Sequence, residues 1–110
     1  MSDKKIMRKI LNESVDIFSA SSKSWIKGAM AHDSSGNADF YNSADACSFC
    51  MLGVIRKVSD KKNFDHDILV DEIMGKESGD CSYRLTVLND RRTTTRMQVV
   101  NFLQLSALAL

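Results

Sequence analysis

The sequence predicts a compact, mainly α-helical fold, built as a single domain of about four helices. The chain has 110 residues, the length of one domain, and we expect that domain to span residues 1–110. Proline is absent and glycine occurs only five times, so few residues interrupt a helix. Apolar residues recur at three- and four-residue intervals in several segments, which is the period of an amphipathic helix.

The strongest helical pattern lies near the N-terminus. Its stripe consists of Met7, Ile10, Leu11, Ser14, Val15 and Phe18. Ser2 or Asp3 is suited to cap the start of this helix, and the serine-rich residues 19–22 mark its end. We therefore predict an amphipathic helix before residue 19.

The middle of the chain predicts a loop and then a central helix. Residues 32–42 are polar and contain a glycine, as expected of a loop. Ser43 is a suitable N-cap residue, and the segment after it carries two apolar stripes, as a helix buried on two sides does. We therefore expect a central helix that includes residues 46–58, with Cys47 and Cys50 inside it.

Helix caps are recognisable in the second half of the chain. Asp65 is expected to cap a third helix that ends at Gly75 or Gly79. Thr95 and Gln98, three residues apart, form the capping-box signature of a last helix. The expected buried stripe of that helix comprises Val99, Phe102 and Leu103.

Two segments stay open between strand and helix. Residues 24–31 are short and fit both. Residues 81–88 alternate in polarity like a strand, whereas Leu85 and Leu88 also fit one helical turn. If both segments are strands, they form a short two-stranded element beside the helices.

Charge and composition exclude several classes of function. A net charge of +1 disfavours a DNA mimic, which is strongly acidic, and a non-specific nucleic-acid binder, which is strongly basic. No apolar run approaches the roughly 18 residues of a membrane span, and the charged N-terminal segment does not resemble a signal peptide. The odd number of cysteines predicts reduced thiols and a cytoplasmic location.

The candidate zinc motif is weak. Cys47 and Cys50 form a CxxC pair, and Cys81 with either His66 or His32 would complete four zinc ligands. The expected placement of the CxxC pair inside a helix does not suit a structural zinc site. We therefore expect neither a metal ion nor a cofactor.

Two further motifs have simpler interpretations. Alternating oxygen-bearing side chains, as in a calcium loop, occur at Asp33, Ser35, Asn37 and Asp39. The twelfth loop position is Ala44 where calcium requires Glu, so a turn with Asx hydrogen bonds is the better interpretation. Cys50, a histidine and Asn89 could form a thiol-hydrolase triad, but no local motif activates the thiol. We assign no catalytic residue.

A candidate anion site precedes the last helix. Arg91, Arg92 and Arg96 flank the threonines at 93–95. Free backbone N–H groups, the helix dipole and guanidinium groups together suit an anion. The simpler interpretation is a helix cap with its arginines in solvent.

Several residues, taken in order, resemble the motifs of a family of small bacterial and phage proteins with no assigned activity. The family reads approximately W-x-x-G, D-x-x-G, A-x-x-W-C-x-x-G-A, W-N-D and T-x-x-x-V. The matching residues are Trp25, Gly28, Asp33, Gly36, Ala46, Cys50, Gly53, Asn89, Asp90, Thr95 and Val99. This chain departs from the pattern at Phe49, Val54 and Leu88, where the family has Trp, Ala and Trp. The resemblance implies a fold and a bacterial or phage setting.

The sequence favours a non-enzymatic interaction protein with a protein partner. Its small size, the absence of catalytic motifs and the phage-like resemblance together motivate the hypothesis of a phage-encoded inhibitor of a host or defence protein. Such a partner would meet the polar loop or the arginine-rich turn, where Phe40, Tyr41, Arg91 and Arg92 are candidate contacts. The alternative is a small-ligand or nucleotide binder, or an enzyme, with an anion site at the start of the last helix. Nucleic acid and membrane partners are not expected, and the oligomeric state stays open.

Asn89 and Asp90 have two interpretations. As structural residues, their side chains would bond neighbouring backbone N–H groups and complement the positive end of the next helix. As functional residues, they would converge with Trp25 and Cys50 to line a pocket. We favour the structural role because the adjoining capping box needs an ordered entry turn.

Overall fold

The computed structural model describes residues 3–76 and 79–110, and the fold is mainly α, as predicted. Within these residues there are five helices, one more than expected, and one small sheet. The helices are α1 (Asp3–Ala20), α2 (Met51–Lys61), α3 (His66–Met74), α4 (Cys81–Asp90) and α5 (Arg96–Ala109). The strands are β1 (Ala31–Asp33), β2 (Ala38–Asp39) and β3 (Ala46–Phe49), in the order β2-β1-β3.

Helix α1 packs against α5, and the two helices run antiparallel. The predicted stripe of α1 is its buried face. Arg96 at the start of α5 donates from Nη1 to the carbonyl of Phe18 at 2.7 Å. Arg8 donates from Nη2 to the carbonyl of Leu110 at 3.2 Å. Helix α1 begins at Asp3, whereas Ser2, the other cap candidate, lies outside the described residues.

The predicted central helix begins later than its pattern suggested. Residues 46–49 form β3, and α2 starts at Met51 with Cys50 as its N-cap. The reason is long-range backbone pairing, because the N–H of Phe49 donates to the carbonyl of Ser24 at 2.8 Å and β3 pairs with β1. The expected cap residue at position 43 instead accepts a bond from the N–H of Asp45, within a turn.

The segment predicted as a loop, residues 32–42, contains a β-hairpin. Strand β1 pairs antiparallel with β2, with His32 opposite Ala38. The Oδ1 atom of Asp33 accepts from the N–H groups of Ser35 at 2.9 Å and Asn37 at 3.0 Å. The alternating polar residues therefore include the Asx turn favoured over a calcium loop.

Both segments that fit either a strand or a helix by sequence have definite structures. Residues 81–88 belong to α4, whose N-cap Asp80 accepts from the N–H of Tyr83 at 3.1 Å. Residues 81–88 form no hairpin with residues 24–31. Trp25 instead forms an isolated parallel β-bridge with Phe49 of β3. Residues 24–30 contain no regular strand or helix, and the chain enters β1 at residue 31.

The predicted caps of α3 and α5 are confirmed. Asp65 caps α3 by accepting from the N–H of Asp67 at 2.9 Å, and Gly75 at φ 84° ends the helix. Thr95 and Gln98 form both bonds of a capping box. The predicted stripe of α5 is correct for Val99 and Leu103, which are buried, but Phe102 is only partly buried.

Helix α2 lies at the centre of the core, in contact with α1, α3, α4 and β3. Its buried residues are Met51, Leu52, Gly53, Val54, Ile55, Val58 and Ser59. The helix passes so close to the backbone of Met30 that a Cβ built on Gly53 would lie 2.1 Å from the carbonyl oxygen of Met30. Glycine is therefore required at this position by packing rather than by backbone conformation.

Candidate functional site

Asn89, near the end of α4, is fully buried and joins three parts of the chain. Its Oδ1 atom accepts from Trp25 Nε1 at 2.7 Å and from the N–H of Met51 at 3.0 Å. The Met51 N–H belongs to the first turn of α2, where helix N–H groups lack partners within the helix. Asn89 therefore supplies an acceptor to both an indole and a helix start.

The amide nitrogen of Asn89 is equally occupied. It donates to the carbonyl of Ile26 at 3.0 Å and to Oδ1 of Asp90 at 2.9 Å. A side-chain amide offers two acceptor sites and two N–H donors, and here all four are used. Asn89 has no hydrogen-bonding capacity left for a ligand, which agrees with the structural interpretation.

Asp90 extends the same network toward the surface. Its Oδ1 atom also accepts from the N–H of Gly28 at 3.2 Å, where the backbone has a φ of 81°. Trp25, Asn89 and Asp90, which the functional interpretation places together around a pocket, meet in the structure as a hydrogen-bonded junction. These three residues fasten the irregular segment 24–30 to the end of α4.

Cys50 lies next to this junction, but its side chain is buried and its sulfur atom already accepts a hydrogen bond. Its Sγ atom accepts from the N–H of Gly53 at 3.3 Å as the N-cap of α2. Burial raises the pKa of the Cys50 thiol, and the nearby Asp90 carboxylate contributes in the same direction. A raised pKa lowers the thiolate fraction, so this thiol is a poor nucleophile. All three cysteines are free thiols, and Cys47 is the exposed one.

The three arginines of the arginine-rich turn have different environments. Arg96 is engaged with the end of α1 through its bond to Phe18, as described above. Arg91 and Arg92 are exposed, and their carbonyl oxygens both accept from Nζ of Lys27, at 2.6 Å and 3.3 Å. Lys27, which sequence analysis did not single out, therefore fixes the backbone of this turn.

A cavity of about 260 Å³ lies between the start of α2, the end of α4 and α5. Its lining residues are Met51, Leu88, Arg91, Thr93, Thr94, Gln98, Val99 and Phe102. Arg91 is the charged residue of this lining, whereas Arg92 is not part of it. The hydroxyl of Thr94 donates to the carbonyl of Leu88 at 2.7 Å and is therefore occupied.

The turn after β2 presents an aromatic side chain to solvent. Phe40 is 80% exposed, whereas the adjacent Tyr41 is partly buried against the core. The Tyr41 hydroxyl donates to Oδ2 of Asp60 at 2.8 Å, and the Arg56 guanidinium lies 4.8 Å from the centre of its ring. The bond to Asp60 raises the pKa of Tyr41. Tyr41 is thus fixed to α2, and Phe40 projects beside it.

Other exposed apolar side chains lie on α5, for which the sequence predicts only a buried stripe. Met97 is 56% exposed, Leu105 66% and Leu108 83%. The available signal was the absence of any charged residue after Arg96. A helix without charges on its outer side is not patterned for solvent alone.

Among the described residues, the carboxylates and imidazole close enough to share a metal ion are those of Asp65, His66 and Asp67. Asp65 is the cap of α3, and His66 Nε2 lies 3.2 Å from Oδ1 of Asp67. This group has an ordinary structural explanation, and it includes none of the cysteines considered in the sequence.

No helix in the described ranges is both long and apolar enough to span a membrane. Comparison with known proteins gives no match to a family model, to a curated protein or to a solved structure.

Proposed function

We propose that this chain is a small non-enzymatic interaction protein that recognises another protein through the turn after β2. The observation that carries the proposal is the exposed ring of Phe40 on a turn that the fold holds in place. Aromatic residues, phenylalanine among them, are enriched at protein interfaces relative to the rest of the protein surface. An exposed phenylalanine gains the full benefit of burial only when a partner covers it.

The turn is ordered before any partner arrives. On one side, Asp33 closes the hairpin through its two Asx hydrogen bonds. On the other side, the Tyr41 hydroxyl donates to Asp60 of α2, and the Arg56 guanidinium lies over the Tyr41 ring. A side chain presented on a prepared backbone loses less conformational entropy on binding, so more of its contact energy appears as affinity.

The mode of action that we propose is inhibition by occupation of a partner's surface. The buried Cys50 thiol with its raised pKa supports a non-catalytic role. The resemblance to small bacterial and phage proteins supports a host or defence protein as the target. Three free thiols support a reducing, cytoplasmic setting.

Phe40→Ala should weaken binding to such a partner by about 30-fold, because loss of a central aromatic contact costs about 2 kcal/mol. The measurement is quantitative affinity capture from a bacterial lysate with immobilised wild-type protein and variants, followed by titration of the captured protein. Tyr83→Ala is the matched control, since Tyr83 is also strongly exposed, on α4. A captured protein that binds wild type, Phe40→Ala and Tyr83→Ala with equal affinity would contradict the assignment.

A second candidate function is the binding of a small anionic ligand in the 260 Å³ cavity, because Arg91 lines it beside Thr93 and Gln98. Inorganic phosphate and nucleoside monophosphates are the probes, and thermal unfolding is the readout, since a ligand of the folded state raises the melting temperature. Arg91→Gln should weaken the response about tenfold, and Arg92→Gln, outside the lining, should preserve it. An unchanged melting temperature with every probe would eliminate this candidate.

A further inference from the structure

The outer face of α5 differs from an ordinary solvated helix surface. From Met97 to the end of α5 there is no charged residue, although Met97, Leu105 and Leu108 are exposed. Helix α1, the other long helix, exposes charged residues such as Lys9 and Asp16. Charged residues are depleted at the centres of protein interfaces, so the α5 face has the composition of an interface.

Seven residues of α5 are exposed, and four of them, which do not include Leu105, have a regular spacing along one stripe of the helix. Met97, Asn101, Gln104 and Leu108 are separated by four, three and four positions, and all four are exposed. Alternating intervals of four and three define the seam along which two helices pack in a coiled coil. We call these four residues the α5 seam.

We propose that the α5 seam binds the same seam of a second copy of this chain, with the two helices antiparallel. The seam reads symmetrically, with apolar residues at its ends and amides at its centre. Rotation about a twofold axis therefore places Met97 of one copy opposite Leu108 of the other, and Asn101 opposite Gln104. Such an interface is isologous, since each contact occurs twice.

The chemistry of these pairs favours a second copy over an unrelated occupant. The two end pairs bury exposed apolar side chains, and the central amides can donate to and accept from one another. A polar pair inside an apolar seam fixes the register of packed helices. The antiparallel arrangement also brings the positive end of each helix dipole beside the negative end of the other.

The length of the α5 seam limits the expected affinity of the dimer. A 14-residue helix is about 21 Å long, so one helix pair buries less than the roughly 800 Å² per partner of a standard stable interface. We therefore expect a weak dimer with a dissociation constant on the order of micromolar. This dimer goes beyond the proposed function and does not involve the turn that carries Phe40.

Sedimentation velocity across a range of concentrations tests the proposal. Wild-type protein should dimerise, and Met97→Lys and Leu108→Glu should each weaken dimerisation by about 100-fold, because each buries a charge opposite an apolar side chain. An equimolar mixture of the two variants should form a mixed dimer. There the introduced ammonium and carboxylate face each other at one end, and the native apolar pair remains at the other.

The mixture distinguishes antiparallel from parallel packing, since a parallel pair would align position 97 with position 97. Tyr83→Glu is the control for adding a charge at an exposed apolar site and should dimerise like wild type. Phe40→Ala should also dimerise normally, so failure of this proposal and failure of the proposed function are distinguishable. A monomeric wild type at about 0.5 mM, far above a micromolar dissociation constant, a dimer that survives Leu108→Glu, or a mixture that stays monomeric would overturn the proposal.

Discussion

Asn89→Ala should lower the free energy of unfolding by about 3 kcal/mol or more, because it removes four hydrogen bonds at one buried position. The indole of Trp25, the N–H of Met51 and the carbonyl of Ile26 would each lose a partner. A buried polar group left without a partner costs about 1–3 kcal/mol, and alanine also leaves a cavity where the side-chain amide was. Few single substitutions in a domain of this size should have a larger effect.

Urea denaturation followed by tryptophan fluorescence measures this loss directly. Trp25 is the only tryptophan, so its emission reports the junction as well as global unfolding. Asn12→Ala, at an exposed position of α1, is the matched control and should change stability by less than about 0.5 kcal/mol. An Asn89→Ala protein as stable as this control would mean that the junction contributes little to the fold.

Gly53→Ala should be destabilising by about 3 kcal/mol, although alanine is the better helix former by about 1 kcal/mol. The added methyl group would lie 2.1 Å from the carbonyl oxygen of Met30, which no rotamer change can relieve because the obstacle is backbone. That carbonyl also accepts from the N–H of Cys50 at 3.2 Å, so moving it would break the entry to α2. Helix α2 and the segment before β1 would have to separate.

The sign of the change in the free energy of unfolding on Gly53→Ala tests the close approach of α2 to Met30. On an exposed helix the same change stabilises, so a gain in the urea midpoint would show that α2 and Met30 do not approach closely. Ser59→Ala serves as the comparison within the same helix. The buried hydroxyl of Ser59 has no hydrogen-bond partner in the described part of the chain, so its removal should be neutral or stabilising.

The parts of the fold that follow from nearby residues could be predicted from the sequence. The stripe of α1 and the caps Asp65 and Thr95 depend on partners within one or two helical turns, and all are correct. Residues 46–49 have a helical apolar pattern as well, but their backbone partners are residues 24, 26 and 31–33, which are distant in the sequence. Strand pairing of that kind leaves no local signal when the strand is only four residues long.

In the candidate site too, features that depend on long-range contacts could not be predicted from the sequence. The sequence places Trp25, Asn89 and Asp90 together only under the functional interpretation, as the lining of a pocket, whereas in the structure hydrogen bonds join these three residues to one another. It could not supply the partner of Arg96, because the carbonyl of Phe18 becomes a neighbour only when α1 and α5 pack. The exposed face of α5 is not predicted, because only the stripe of Val99, Phe102 and Leu103 is assigned in this helix and the apolar residues outside the stripe are not placed.

The unequal accessibility of the three thiols also makes this chain convenient for spectroscopy without any mutagenesis. Cys47 is exposed on β3, whereas Cys50 and Cys81 are buried, so a maleimide dye applied under native conditions should label one position. Strand β3 pairs with β1, which pairs with β2, and the next residue after β2 is Phe40. A fluorophore at position 47 would therefore sit on the same small sheet as the recognition turn, where changes in its emission could follow the arrival of a partner in real time.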